Sequence, residues 1–200
     1  MLTMCDHPED RSPRWKWLTR LVYLAVMISC GSFIVAEAAN ATDSAETQIK
    51  AAMLFKFLDY TEWPAESFDT PQSPYRIWLL DAKDVGNELR AITRDRNSNG
   101  RAINVFKTRF VERIDEPHIV FVGRNAEHHL PRLARLAEQQ AFLIVTENSQ
   151  GLIPGSTINL RLLQDRVGFD VSLFGARRSN LKLSARLLSV ALTVEQETPQ

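Results

Sequence analysis

The chain of 200 residues reads as a layered α/β/α domain with a mostly parallel central sheet and an antiparallel edge hairpin near its C-terminus. Three observations predict this. Tyr75–Asp81, His118–Gly123 and Ala141–Thr146 are short runs with apolar residues at consecutive positions, as in central strands covered on both faces. Helical patterns separate them at Val85–Thr93 and Glu127–Gln140, where Leu130, Leu133, Leu136 and Ala137 form one stripe. Later, Ile158, Leu160, Leu162 and then Val167, Phe169, Val171, Leu173 alternate with Asn159, Arg161 and Gly168, Asp170, Ser172 about a bend at Gln164–Arg166. That alternation predicts a hairpin with one wet face. Arg101–Lys107 alternates too and adds a strand. Strands spaced by helices argue a layered α/β domain.

Taken in order, the chain starts with an address. The uncharged apolar run Leu21–Val35 follows Arg14, Lys16 and Arg20 and precedes the small-x-small site Ala36-Glu37-Ala38. That is the layout of a secretory signal peptide over residues 1–38, and the run is shorter than the roughly 20 residues that span a bilayer. Retention as an anchor and a lipoprotein site at Cys30 are the alternatives; each leaves the domain outside the cytoplasm. Both cysteines, Cys5 and Cys30, precede the cut, so the mature domain has no disulfide and no cysteine site. Lys plus Arg number 24 and Asp plus Glu 24, without long charge runs, which disfavours a nucleic-acid partner.

The stretch from Ile49 to Pro64 reads as a helix greasy nearly all round. Ile49, Met53, Phe57 and Leu54, Leu58 share a broad face that Ala51 and Phe55 widen. Pro64 forces Trp63 out of helical backbone space and ends the element near Tyr60–Glu62. So wide a face packs between two layers, leaving the last helix, a second subunit or a partner open as its outer neighbour. Pro64–Pro74 is loop by composition. The closing element reads as a helix over Asn180–Val194 with Leu183, Leu187, Val190 and Val194 along one side.

No constellation for chemistry rises from the residues. Ligands of open α/β sheets sit beyond the strands' carboxyl ends, here Asp81, Gly123-Arg124 and Thr146-Glu147. Arg124 stands where a phosphate-accepting carboxylate would be needed, and the dinucleotide and P-loop fingerprints are absent. His118, His128 and His129 lack the i, i+4 spacing of a helical metal pair. Ser156 and Ser184 have no nucleophile-elbow context. The expectation is a protein without a catalytic, cofactor or metal site. Aromatic residues near loops (Trp63, Phe68, Tyr75 and Trp78) suggest a different class, a periplasmic small-ligand-binding sensor.

Two segments resemble a known family. Ile49-Lys-Ala-Ala-Met-Leu-Phe-Lys-Phe-Leu-Asp-Tyr-Thr-Glu-Trp-Pro64 is similar to the opening of the YfiR family, a helix leading into Trp-Pro. Val167-Gly-Phe-Asp-Val-Ser172, then Leu181-Lys-Leu-Ser-Ala-Arg-Leu-Leu-Ser-Val-Ala191, is similar to its closing strand and helix. The resemblance spans about Thr47 to Leu192 and places a YfiR-like domain over residues 43–194. Its motif residues are Ala51, Phe57, Trp63, Pro64, Phe169, Asp170, Leu183, Ser184, Leu187 and Leu188. Ser172 stands where the family usually has Asn, Ala185 where a second Ser is common, and Asn180 where Gly is customary.

The resemblance implies a periplasmic regulator and no catalyst. Its partner would be the periplasmic domain of an inner-membrane diguanylate cyclase, held inactive, with an outer-membrane lipoprotein able to sequester the regulator. This ties the chain to cyclic-di-GMP signalling and biofilm control. Arg186, one position before Leu187 and off the expected buried stripe, is the candidate partner contact, since a guanidinium can fork onto a carboxylate.

Overall fold

A computed structural model describes residues 43–164 and 166–196. The signal peptide expected over residues 1–38 lies outside them, as does Asp165 in the hairpin bend. The first helix, α1, runs over residues 43–60. There follow β1 (Thr61–Glu62), β2 (Tyr75–Leu80), α2 (Lys83–Thr93), β3 (Ile103–Thr108), β4 (Ile119–Val122), α3 (Leu130–Gln140), β5 (Leu143–Thr146) and β6 (Ile158–Leu163). The chain closes with β7 (Arg166–Ser172), α4 (Leu173–Arg178), β8 (Lys182–Leu183), α5 (Ala185–Leu188) and β9 (Thr193–Glu195). His128 and His129, expected in the first turn of α3, end a 3₁₀ turn just before it.

The main sheet has seven strands in the order β3-β2-β4-β5-β6-β7-β9, mostly parallel; only β6 and β7 pair antiparallel. One face carries Ile77, Leu79, Ile119, Phe121, Leu143, Val145, Ile158, Leu160, Phe169 and Val171 under α1, α2 and the C-terminal segment. The other carries Leu80, Val120, Val122 and Ile144 against Leu130, Leu133 and Ala137 of α3. The layers are therefore α/β/α, as the consecutive apolar runs of β4 and β5 require.

The broad face of α1 is spent on the sheet. Ala51, Leu54, Phe57 and Leu58 are fully buried there, and Phe57 meets Phe169 edge-on at 5.4 Å. Each large side chain so buried contributes about 1.5–3 kcal/mol. Ile49 is the exception at 41% exposed.

Three expectations need correcting. The segment after Asn180 is not one helix. Asn180 takes a left-handed φ of 51°, Lys182–Leu183 pairs with β1, and Ser184 caps a helix of four residues. The chain then extends into β9 beside β7. Spacings of three and four among Leu183, Leu187, Val190 and Val194 mimic a helix. Open main-chain groups on β1 and β7 outweigh that weak local preference, in a stretch where Val190, Thr193 and Val194 are β-branched. Second, the hairpin is not the rim of the sheet, because β9 pairs with Asp170–Ser172. Third, its polar face is not wet: Asn159, Asp170 and Ser172 are buried, and each accepts a hydrogen bond within the protein.

Leu187 is 2% exposed and packs with the α1 core, although its helix is short. Replacing it with Ala should cost about 2–5 kcal/mol through the cavity left behind. Thermal melts of wild type and variant measure this, and an unchanged midpoint would show that the side chain contributes no core packing.

Candidate functional site

The strand order reverses between β2 and β4. β2 passes through α2 on one face to β3, whereas β4 passes through α3 on the other face to β5. A doubly wound sheet binds ligands in the crevice beyond such a switch point. Here the crevice is shut by backbone. Gly123 N–H donates to the Leu80 carbonyl at 2.9 Å, and a Cβ on Gly123 would stand 2.4 Å from the Asp81 carbonyl oxygen. Only glycine lets the two turns approach so closely. The Asp81 carboxylate faces Arg109 at 3.5 Å.

Beyond β4 and β5 the strand ends are clamped under α1. Lys50 Nζ lies 2.5 Å from both Glu46 Oε1 and Glu147 Oε2, and Arg124 approaches Glu46 at 3.9 Å. Two acids meet two bases, so the cluster is neutral. Burial makes it rigid, because removing one partner would strand a buried charge. This clamp escaped the sequence reading. Its one signal was Glu46 and Lys50 at i, i+4.

On the opposite face the register aligns Thr146, Asn159 and Asp170 across three strands. Thr146 Oγ1 and Asn148 N–H donate to Asn159 Oδ1 at 2.8 and 2.7 Å, and Asn148 Nδ2 donates to Glu127. Asp170 is 2% exposed and pairs with Arg161: Nη2 donates to Oδ1 at 3.0 Å, and Nε lies 3.0 Å from Oδ2 as an ion-pair contact. Each acid therefore has its own donor.

The amino ends of the strands hold His118, 3% exposed, amid Trp63, Phe68 and Tyr75 at centroid distances of 4.6–5.9 Å. Its Nδ1 accepts the Arg76 N–H at 3.1 Å, and Trp63 Nε1 donates to its carbonyl at 3.2 Å. Burial, seconded by the guanidiniums of Arg76 and Arg101, pulls its pKa from 6.5 to about 4; the Ser67 main chain offsets only part. Three of the aromatics that suggested a ligand pocket thus pack on one another and on this imidazole. The fourth, Trp78, stacks on Phe106 at 4.6 Å. A separate cleft of about 190 Å³ lies between α3 and α4, lined by residues including Ile153, Phe174, Ser179 and Glu195. It is small beside the roughly 300–1,000 Å³ of drug-sized ligand sites. Among the described residues, no group of three or more His, Cys, Asp or Glu could hold a metal ion, and no helix is long and apolar enough to cross a membrane.

The motif residues at the two ends of the domain come together. Phe57 touches Phe169, Thr61 pairs with Leu183, and Ser184 N–H donates to the Tyr60 carbonyl at 2.9 Å. Ala51 and Leu187 are buried in the same cluster, with Trp63, Leu183 and Leu188 packed half-buried against it. Pro64 follows Trp63, half-buried, and opens a 3₁₀ turn. Ser184 Oγ caps α5 by accepting the Leu187 N–H at 3.2 Å. Asp170 stands apart, on the opposite face, in its pair with Arg161. Arg186 is exposed on α5.

A doubly wound α/β domain with a shut switch point, joined at its two motif ends, is the class these features define. The chain belongs to the YfiR/HmsC-like family, whose model matches residues 47–192. Comparison with curated proteins returns no significant match. The family fits a regulatory role.

The depressed His118 fixes a pH dependence. Between pH 6.5 and 4 the unfolded chain takes up a proton that the folded one refuses, so stability falls as pH falls through that window. The loss amounts to roughly 3 kcal/mol at most. His118→Asn keeps an acceptor for the Arg76 N–H and removes the titration. Urea unfolding at pH 7, 5.5 and 4 should show a shallower decline for the variant than for wild type. Parallel declines would mean that His118 titrates normally.

Proposed function

We propose that the protein is a non-catalytic periplasmic regulator that binds the periplasmic domain of an inner-membrane diguanylate cyclase and lowers its activity. An outer-membrane lipoprotein that sequesters the regulator would release the cyclase. Membership of the YfiR/HmsC-like family carries the reading. The export layout of residues 1–38 supports it, as does the engagement of Glu46, Lys50 and Glu147 with one another at the ends of β4 and β5. Such a domain acts through its surface, by contact.

The test is cellular cyclic-di-GMP with the gene deleted, then restored as wild type or as Arg186→Ala. Deletion should raise the nucleotide and restoration should lower it. An unchanged level while the cyclase is expressed would overturn the reading and leave small-ligand sensing ahead. Arg186→Ala should repress less well than wild type if that guanidinium meets a partner carboxylate at the centre of the interface. Equal repression assigns Arg186 to solvent.

A further inference from the structure

Among the described residues, the sheet ends on one side at β3, which pairs only with β2. Tyr75 N–H donates to the Ala102 carbonyl and Asp81 N–H to that of Thr108. In a parallel ladder these bonds alternate, so Asn104, Phe106 and Thr108 turn their main-chain groups toward β2. Ile103, Val105 and Lys107 turn theirs outward. The strand is six residues long, without proline, and long open edges of this kind are templates for pairing. One outward carbonyl, that of Val105, accepts Arg90 Nη2 at 3.0 Å.

The surroundings of the edge state what fits it. On the α2 side a groove is lined by Arg90, Thr93 and Arg94 beside Ile103–Phe106. Neither Arg90 nor Arg94 has a carboxylate within ion-pair distance among the described residues. On the other side Phe106, half-buried, stacks on Trp78 at 4.6 Å. A second copy of β3 pairing about a two-fold axis would bring both pairs of arginines to one seam, and like charges disfavour that.

We propose that β3 is the partner-binding edge and takes up, by strand addition, an extended segment of the cyclase's periplasmic domain. That segment carries carboxylates on the side facing Arg90 and Arg94 and an apolar or aromatic side chain on the side facing Phe106. The mode is β-augmentation, in which main-chain bonds supply affinity and alternate side chains supply specificity. The identity of the partner rests on the function proposed above.

The experiment uses the mature domain and the purified periplasmic domain of the cyclase whose output the deletion raises. Residue-resolved amide exchange of the free protein should find Ile103, Val105 and Lys107 fast and Asn104, Phe106 and Thr108 protected. In the complex the three fast amides should slow by at least about tenfold, an alternation that contact through side chains alone does not produce. Val105→Pro removes an outward N–H and no β2 bond, and should weaken binding by about tenfold or more. Arg90→Glu combined with Arg94→Glu should weaken it similarly without touching the ladder. A complex that forms while the three amides stay fast overturns edge pairing and leaves the regulatory reading intact. Absence of any complex, with cyclic-di-GMP unmoved by deletion, overturns both.

Discussion

The seating of α1 on the sheet is the contact on which the rest of the structure depends. Leu54, Phe57 and Leu58 are fully buried in the cluster that holds Val145, Ile158, Phe169 and Val171, and Ala176 of α4 and Leu187 of α5 join them there. A helix so apolar cannot stand in water without its sheet. The sheet cannot leave Val145, Ile158 and Phe169 bare. The mutual need explains why the two ends of the domain share one joint. Once α1 lies down, its last residues fall beside the C-terminal segment, and Thr61 finds Leu183 as a strand partner.

The same seating decides the fate of the strand ends. In a doubly wound sheet the carboxyl edge is where ligands gather. Here α1 crosses that edge and brings Glu46 and Lys50 to Glu147, while Gly123 packs on Asp81. A lysine with its side chain 7% exposed must be paired, because an isolated buried ammonium is costly by several kcal/mol. The paired cluster in turn fixes where the helix sits along its axis. The ground beyond β4 and β5 is occupied by structural ion pairs.

How much of this was legible depended on the range over which each signal acts. The runs of β2, β4 and β5 and the stripe of α3 are local patterns with one physical solution, so the layers could be read directly. The apolar excess of α1 was equally plain, and the Trp63-Pro64 stop fell where the helix ends. Reading failed where long-range pairing competed with local pattern. Leu183 and Leu187 have helical spacing yet bury through a strand and a separate short helix. Asn159 and Asp170 alternate as a solvated face would, but Thr146 and Arg161 satisfy them inside. Such partners are 9 to 13 residues away in sequence and adjacent only through strand register, which no local window contains. The open edge of β3 was hidden for a related reason, since a strand's place in the sheet order is topology.

The distribution of satisfied and unsatisfied main-chain groups then separates scaffold from surface. Buried polar groups pair almost without exception because an orphan costs about 1–3 kcal/mol. At the clamp and the Asn159 network that requirement is met within the chain, and at Asp170 a hydrogen bond and an ion-pair contact from Arg161 face the carboxylate. At β3 it is met by solvent and by one arginine, whose bond to Val105 leaves the other outward groups open. Natural proteins shield long edges with charge, and Arg90 does so here for a single carbonyl. A guanidinium that shields an edge from another neutral or cationic strand also attracts one that carries carboxylates. Protection against self-association and selection of an acidic partner therefore follow from the same two side chains.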